Sequence, residues 1–466
     1  MRMRQARRLV AGSLCVLAAS LANPAVAAPV DLLTVVNDAL RSNPGYQATL
    51  DAYAGAKQLV PIAESRYYPQ LTLTGSYDYY DESVKGDYFG VRNIDLQDDF
   101  PRTAYGAFLR QAVFSGDLLF GASRAEQQVA RVRFLSDVAE DALIVGVCGT
   151  YFGVLAAEEQ QRIAQAKREA LKTQYEQIKG RADAGLALEA ELKSAQASLE
   201  LAVVGFEEAR RAVEGAFVDL EALTGQRYEG VLPLQASVEL LPPTPADESA
   251  WTTRAKNNNP AILAQQMQVA SAKVDVEKAR YQRYPKVDVV GSYTRLDNDG
   301  GVTGKREETE GRIGLTASVP LFTGGLLSAE IARVQAEQRR AESELAAITA
   351  KAVRDTRIAY ANTTLGKQKI TAVQRALEAA TLAEAANKSG FESGTRTNAD
   401  VLAAVEQRYN AEFALTTARY KFLADTLYLK QVAGALLTAD LSRINRLLQQ
   451  PGATLAAPAS IGPAVQ

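Results

Sequence analysis

An internal repeat of about half the chain constrains the fold more than any other feature of the sequence. The segment Tyr68–Leu71 (YPQL) recurs as Tyr284–Val287 (YPKV), 216 positions later. Further along, Phe114–Gly116 (FSG) recurs as Phe322–Gly324 (FTG), at the smaller offset of 208 positions. Because repeated sequence folds into repeated structural units, we predict two equivalent units, with a shorter connection between the two motifs of the second.

The prolines divide the chain at matching places. A linker at residues 230–250, which contains four prolines, separates a first repeat at residues 28–229 from a second repeat at residues 251–450. No proline occurs at residues 102–232 or 321–450, which are windows of 131 and 130 residues. Proline breaks the interior of a helix, so each window has room for long helices.

Both proline-free windows have the apolar spacing of packed helices. Apolar residues recur at steps of three and four, as in helices that associate as coiled coils. Gly185 in the first repeat and Gly394 in the second interrupt this spacing and allow a tight reversal of the chain. We therefore predict two long antiparallel helices in each repeat, at 121–180 and 187–224 and at 324–388 and 397–434. A helix of about sixty residues extends for about 90 Å, which indicates a span across a compartment.

Each repeat begins with a helix signal. Asn43 precedes a proline, and Asn259 precedes another, which is typical of an N-cap followed by proline at the first helical position. The helix that follows is predicted to end before Tyr68-Pro69 or Tyr284-Pro285, because the residue before proline disfavours the α conformation.

After these helices the sequence alternates between apolar and polar residues, which predicts β-strands. The predicted strands are 70–80 and 103–113 in the first repeat and 286–296 and 311–320 in the second. Each has about the ten residues that a membrane-spanning strand needs, although a soluble β-sandwich would show the same alternation. The segments 81–102 and 297–310 are polar and rich in Gly, Asp and Asn, and we predict them to be extracellular loops.

The two ends of the chain carry different signals. Residues 1–27 have a basic start, an apolar stretch and an A-x-A site at Ala25–Ala27, which predicts a secretory signal peptide. The tail at residues 451–466 is rich in alanine and proline, and we predict it to be disordered.

Composition excludes several classes of function. The chain contains no histidine, which removes the commonest general base and a common metal ligand. We therefore expect no enzyme activity, no cofactor and no metal. Cys148 is the one cysteine outside the predicted signal peptide, so an intrachain disulfide is not expected. A formal net charge of −2 gives no indication of a nucleic-acid partner.

The predicted strands raise a problem of closure. No segment after the signal peptide has eighteen consecutive apolar residues, so we predict no transmembrane helix. Strands in lipid must close into a barrel, and four strands are too few, since the smallest bacterial barrels have about eight. The barrel is therefore predicted to be shared between chains. A dimer would give eight strands around a filled interior, whereas a trimer would give twelve around an open lumen.

At this point the chain resembles the TolC family of outer-membrane efflux and type I secretion channels. The resemblance covers nearly all of the chain after the signal peptide, and the order, duplication and spacing of several motifs carry it together. These motifs are Asn43-Pro44, Tyr68–Leu71, Gln111–Gly116, Tyr151–Leu155 and, as the most specific, Gly394–Leu402 (GTRTNADVL).

The resemblance implies a mainly α-helical chain with a small β part. Long antiparallel coiled-coil helices would form an α-barrel in the periplasm, and four strands per chain would contribute to a trimeric twelve-stranded β-barrel in the bacterial outer membrane. The implied function is the passive exit duct of a tripartite efflux or type I protein secretion system. The implied partners are two identical chains, a periplasmic adaptor (membrane fusion protein), an inner-membrane ABC or proton-driven transporter, and outer-membrane lipid.

The resemblance also implies a closable entrance beside the Gly394 turn. Asp400 matches the family's pore-lining aspartate, Arg396 matches an arginine that holds the entrance shut, and Glu191 matches an acidic position at the equivalent turn of the first repeat. Phe391 stands where a gating tyrosine is common, and Ala403 stands where a second aspartate is common. Cation binding at the entrance is therefore expected to be weaker than is usual in the family.

Other interpretations stay open from the sequence. Thr397 and Asp400 have the spacing of a helix capping box, so Asp400 could serve only the helix end. Arg396 and Glu191 could be solvated surface residues, and Phe391 could simply pack. At the level of the whole chain, the alternative is a structural periplasmic or outer-membrane coiled-coil protein without pore activity.

Overall fold

The computed structural model describes residues 29–88, 90–235, 240–301 and 304–448, with the side chain of Tyr88 excepted. The predicted signal peptide and the predicted disordered tail lie outside the described residues. Within them the chain is mainly helical, and four strands form one antiparallel sheet. The predicted fold class, mainly α with a small β part, is confirmed, and one sheet of four strands is not the soluble sandwich that the alternation left open.

The sheet follows the order of the chain. Its strands are β1 (Gln70–Tyr88), β2 (Val91–Phe114), β3 (Lys286–Asn298) and β4 (Arg306–Ser318), and they pair in the order β1-β2-β3-β4. The register places Leu73 opposite Ala107, Ala107 opposite Tyr293, and Tyr293 opposite Gly311. The first and second repeats therefore join through β2 and β3, while the outer edges of β1 and β4 pair with no other described strand.

The register also sorts the side chains onto two unlike faces, since alternate residues of a strand point to opposite sides. One face is mostly apolar and the other mostly polar. The apolar face carries Leu71, Leu73, Tyr77, Tyr105, Leu109, Val289, Tyr293, Ile313 and Leu315. The polar face carries Thr72, Thr74, Ser76, Asp78, Arg110, Asp288, Ser292, Arg312 and Thr316. Much of the apolar face is exposed in a single chain, as Leu73 and Ile313 illustrate.

The first hairpin is longer than predicted, and the prediction of a loop at 81–102 was wrong. β1 continues to Tyr88 and β2 begins at Val91, with Gly90 in the left-handed region at φ +85°. Polar sequence concealed these residues, because the prediction took apolar alternation as its strand signal. A ladder outside lipid needs no such alternation, since its backbone hydrogen bonds are independent of side-chain polarity. The connection between β3 and β4 is also shorter than the predicted 297–310.

The two repeats carry corresponding helices, except that two short helices of the first repeat stand where the second has one longer helix. In the first repeat these are α1 (Leu32–Ser42), α2 (Pro44–Lys57), α3 (Leu59–Glu64), α4 (Gly116–Asp183) and α5 (Glu189–Thr224). In the second they are α6 (Glu248–Asn258), α7 (Pro260–Tyr281), α8 (Leu326–Glu392) and α9 (Asn398–Val432), and α10 (Thr438–Asn445) follows. A 3-10 turn, Ser65–Tyr67, joins α3 to β1.

The two longest helices run from the sheet to the far end of the molecule. α4 has 68 residues and α8 has 67, which corresponds to about 100 Å each. The half of α4 farther from the sheet packs against α5, and the half nearer the sheet packs against α2, α3 and α7. α8 packs in the same way against α9 and α7. The two repeats also meet directly where α4 contacts α9.

Helix ends meet midway along each long helix. The Asn43 side chain accepts a hydrogen bond from the Tyr46 N–H at 3.0 Å and donates its amide to the Leu223 carbonyl, near the end of α5, also at 3.0 Å. In the second repeat, the Asn259 amide donates to the Val432 carbonyl at 2.8 Å. Each Asn-Pro motif therefore caps one helix and ties it to the end of another.

One of the described helices, α4, is long and apolar enough to cross a membrane by length and composition. The prediction of no such helix required eighteen consecutive apolar residues, and the uncharged run at 142–157 is shorter because Asp141 and Glu158 bound it. Its apolar middle includes Val147, Tyr151 and Leu155, which are buried in the largest hydrophobic core of the chain. Apolar composition here reflects packing within the helical part.

Candidate functional site

Two turns at the end of the helical part have nearly the same geometry. Gly185 follows α4 with φ +74°, and Gly394 follows α8 with φ +76°, a conformation that glycine adopts without steric cost. The Leu186 N–H donates to the Arg181 carbonyl at 2.7 Å, and the Thr395 N–H donates to the Gly390 carbonyl at 2.8 Å. Both are the six-to-one bond that closes a helix C-terminus. The same turn geometry therefore occurs once in each repeat.

Side chains from both repeats pack together beside these turns. Ile163 and Leu171 of α4 form one buried cluster with Val401 and Val405 of α9, and Phe391 packs against it. The buried Gln174 side chain donates a hydrogen bond to the Asn398 side chain at 2.6 Å. The Arg181 guanidinium lies 4.8 Å from the centre of the Phe391 ring. The end of α4 and the Gly394 turn are therefore adjacent.

Asp400 completes the capping box at the start of α9. Its carboxylate accepts hydrogen bonds from the Thr397 N–H at 2.9 Å and the Thr397 hydroxyl at 2.8 Å, while the Asp400 N–H donates to that hydroxyl oxygen at 3.2 Å. The bond from the Thr397 backbone, the bond from its hydroxyl and the charge of Arg396 hold the pKa of Asp400 below its usual value. Asp400 is therefore an anion at any neutral pH, next to Arg396.

The first-repeat turn has a weaker version of the same cap. Leu188 precedes α5 and has no hydroxyl, and the Glu191 carboxylate accepts the Leu188 N–H at 3.4 Å. Glu191 is half-buried on this turn, whereas Ala403 is exposed on α9. The structure brings Phe391, Arg396 and Asp400 together on the Gly394 turn and puts Glu191 on the other turn.

Sequence reasoning missed several residues that shape this end of the molecule. A Cβ atom on Gly390 would lie 2.6 Å from Arg396 Cγ, so the absence of a side chain there lets Arg396 lie across the turn. A chain of ion pairs also joins three helices: Arg162 of α4 binds Glu412 of α9 at 2.8 Å, Arg408 binds Glu412 at 3.1 Å, and Arg408 also pairs with Glu384 of α8. No local signal announces the two contacts between helices, Arg162 with Glu412 and Arg408 with Glu384, because these partners are more than 20 positions apart in sequence.

The described residues include no group of three or more His, Cys, Asp or Glu side chains that could hold a metal ion. The carboxylates of Asp400 and Glu191 each accept a hydrogen bond from a backbone amide at the start of their helix.

Comparisons with known proteins agree with this geometry. The model of the family described as outer membrane efflux protein matches residues 35–226 and 251–435, which correspond to the two repeats. Outer membrane protein TolC of Vibrio cholerae is 25% identical over 422 residues, covering 89% of this chain and 93% of that protein. Alkaline protease secretion protein AprF of Pseudomonas aeruginosa is 25% identical over 419 residues, covering 87% of this chain and 85% of that protein.

A solved structure shows the same fold. The CmeC outer membrane channel of Campylobacter jejuni superposes with a TM-score of 0.75 at 16% sequence identity, covering 89% of each chain. The family match spans most of the chain, including both long-helix hairpins and all four strands. The chain therefore belongs to the outer membrane efflux protein family, and it is a channel protein of the outer membrane and not an enzyme.

Proposed function

We propose that three copies of this chain assemble into a continuous exit duct, with a β-barrel in the outer membrane and a helical tunnel in the periplasm. The observation that carries this proposal is the open four-stranded sheet, which has an exposed apolar face and two free edges. In lipid every backbone donor and acceptor must be paired, so such a sheet has to close with strands from other chains.

Three chains suit a duct better than two. Two chains would give eight strands, whose interior side chains fill a barrel of that size, whereas twelve strands leave space for a lumen. The polar face of the sheet, with Thr74, Asp78 and Arg312, would line that lumen, and the apolar face would contact lipid. The long helices α4 and α8, each with its return helix, would continue the wall below the membrane.

The proposed duct serves a tripartite efflux or type I secretion system. One relative is named for the secretion of alkaline protease and another for efflux, and this supports both kinds of cargo. A passive duct needs an energy source elsewhere, so we assign it a periplasmic adaptor and an inner-membrane ABC or proton-driven transporter as partners. These would dock at the end that carries the Gly185 and Gly394 turns.

We assign the entrance of the duct to these two turns. Three copies of Asp400 would form an acidic ring, with Glu191 adding charge from the first-repeat turn, and such rings favour cations. Arg396 would lie against this ring and help to hold it closed, and Phe391 would support the turn through its contacts with Arg181 and the buried cluster. The capping box and the ring use the same carboxylate, so the two roles are compatible.

Conductance and migration test the duct itself. The protein purified from outer membranes should migrate as a heat-modifiable trimer and should conduct ions in planar bilayers. A coiled-coil protein without pore activity would migrate as an oligomer without conducting, and a monomer that is soluble without detergent would contradict the barrel.

A substitution in the ring tests the entrance. Asp400→Ala should reduce block of single channels by multivalent cations, because it removes the proposed acidic ring, while Ala403→Asp should strengthen block by adding a second ring. Glu392→Ala is a matched control, since Glu392 is an exposed acid just before the turn. Unchanged block in Asp400→Ala would remove this residue from the entrance.

A further inference from the structure

Equivalent helices of the two repeats differ sharply in burial. α7 lies between α4 and α8, and eight of its residues are buried. α2 and α3 occupy the same place in the first repeat, yet Ala56 is their one buried residue within the described chain. They contact α4 on one side. The pair α2 and α3 therefore has an open side at the position where the equivalent helix, α7, contacts a second long helix.

The sheet has the same asymmetry. β3 is half-buried along most of its length because β2 and β4 flank it, whereas β4 and the first part of β1 are exposed. In chain order β4 leads into α8, and α3 leads through the 3-10 turn into β1. One open seam therefore runs along sheet and helices on each side of the chain.

Within the chain, the first repeat reaches the second through a corner held by charge and aromatic contact. At this corner β2 turns into α4, and Asp117 binds Lys278 of α7 at 2.6 Å. The Phe120 and Tyr281 rings meet edge to face with centroids 4.8 Å apart. Gly116 fits closely against Tyr281, because a Cβ atom there would lie 3.1 Å from Tyr281 Cβ.

At the equivalent corner of the second repeat, residues 321–326, no helix of the same chain within the described residues receives the turn in this way. Leu321 is 94% exposed and Phe322 is 90% exposed. The ion pair is also missing from the repeat, since Gly325 stands at the position of Asp117 and Ile62 stands at the position of Lys278. Ile62, Tyr68 and Leu71 surround the place where the receiving surface would be, and they are 60%, 68% and 67% exposed.

We propose that the second-repeat corner of one copy docks on Ile62, Tyr68 and Leu71 of a second copy, so that the joint between chains repeats the internal joint with apolar contact in place of charge. This inference rests on the proposed trimer and specifies its seam. Each surface alone exposes apolar side chains, and burying them against each other removes both from water. The proposed contact would bury no charged side chain.

The same correspondence gives a register for the strands across the seam. Inside the chain Ala107 of β2 faces Tyr293 of β3, and Leu109 faces Gly291. Moving each β2 residue to its β4 equivalent and each β3 residue to its β1 equivalent pairs Leu315 with Tyr77 of the second copy, and Ala317 with Gly75. Leu315 and Tyr77 both lie on the apolar face, so this register keeps that face continuous around the barrel.

Disulfide crosslinking in outer membranes tests the register. The double variant Leu315→Cys with Tyr77→Cys should give a ladder of linked dimers and trimers without reductant, because directly opposite residues in antiparallel strands come within disulfide range. The control, Leu315→Cys with Tyr79→Cys, moves one partner by two residues and should link poorly. The buried native Cys148 is expected to stay out of the reaction.

Trimer migration measured on the same samples separates the two proposals. An intact trimer with no link in the first variant, or with stronger linking in the shifted control, would overturn the seam while leaving the duct in place. Absence of any trimer in the unsubstituted protein would contradict the proposed function itself.

A second variant tests the corner. Phe322→Asp should abolish the trimer band while leaving the helical content of the chain unchanged, because Phe322 is almost fully exposed in a single chain. Val91→Asp is the matched control, since Val91 is exposed at the hairpin tip, away from the seam. A Phe322→Asp trimer that melts at the unsubstituted temperature would overturn the joint.

Discussion

The two repeats have the same helices but very different cores at their midpoints. In the first repeat Tyr151 is fully buried, and its hydroxyl donates to the Leu232 carbonyl at 2.9 Å within a large apolar cluster. Its equivalent in the second repeat, Tyr360, is half-buried at the border of a small cluster around Trp251. Equivalent tyrosines of the two repeats are therefore buried to different extents.

Segments outside the repeat account for this difference. Val30 near the start of the described chain, the linker residues Val231 and Leu232, and the final helix α10 all pack into the cluster around Tyr151, which also includes residues of α8 and α9. Val30 pairs with Val231, and Leu234 pairs with Leu448, which brings both ends of the described chain to one place. The comparison indicates that the repeats build the helical wall and that segments outside the repeat enlarge one of its buried clusters.

The strongest way to break this comparison is to remove the larger core. Tyr151→Ala leaves a cavity and an unpaired carbonyl, and we expect it to cost about 3–5 kcal/mol of unfolding free energy. Tyr360→Ala should cost clearly less, because the side chain is only half-buried. Thermal unfolding followed by circular dichroism would compare them. Equal losses would mean that the two cores contribute equally and that our account of the unrepeated segments is mistaken.

Much of this architecture could be predicted from the repeat alone. The Asn-Pro caps, the glycine turns and the proline-free windows are local signals, and each has a direct physical reading. The outer half of the first hairpin was missed because residues such as Asp81 and Asp99 lie in solvent, where a strand has no apolar face. Contacts such as Gln174 with Asn398 join residues from different repeats, and spacing along the chain cannot reveal them. The roles of Asp400, Arg396, Glu191 and Phe391 stay proposals.

A smaller effect distinguishes the repeats by pH. Burial, followed by the charges of Glu140 and Asp137, raises the pKa of Asp141 to about 6, whereas the second repeat has Ala350 at that position. A raised carboxyl pKa means that the folded state favours the protonated form. The protonated Asp141 carboxyl therefore stabilises the folded state. This contribution is complete below the unfolded pKa near 3.8 and is lost as the pH rises through about 6.

We therefore expect Asp141→Asn to stabilise the protein near pH 8 and to flatten the change of melting temperature between about pH 5 and pH 8. The gain should stay below about 1 kcal/mol, because solvent screens a half-exposed carboxylate. Ala350→Asp is the matched variant in the second repeat and should introduce no comparable pH dependence, since Ala346 and Thr349 replace the two neighbouring acids. A steeper profile in Asp141→Asn would contradict the assignment.

The smallest expected effect concerns the two turns. Thr397→Ala removes the hydroxyl that completes the capping box of α9, so amide hydrogen exchange should accelerate in its first turn, near Asp400. Leu188→Ser adds a hydroxyl at the weaker turn and should slow exchange at the start of α5. Hydrogen-exchange mass spectrometry would resolve both peptides. Unaltered exchange in the two variants would show that capping does not distinguish the turns.

The paired helix ends at Asn43 and Asn259 have a consequence for how such a wall can change. Two shorter helices that meet end to end, joined by one side-chain amide, keep the length and direction of a single long helix while the chain leaves and re-enters at the joint. An added segment can extend outward at such a joint without bending the helix pair or narrowing the space that the helical wall encloses. The linker follows the first of these joints, after α5, and α10 follows the second, after α9, so both segments outside the repeat begin where one helix ends against the next.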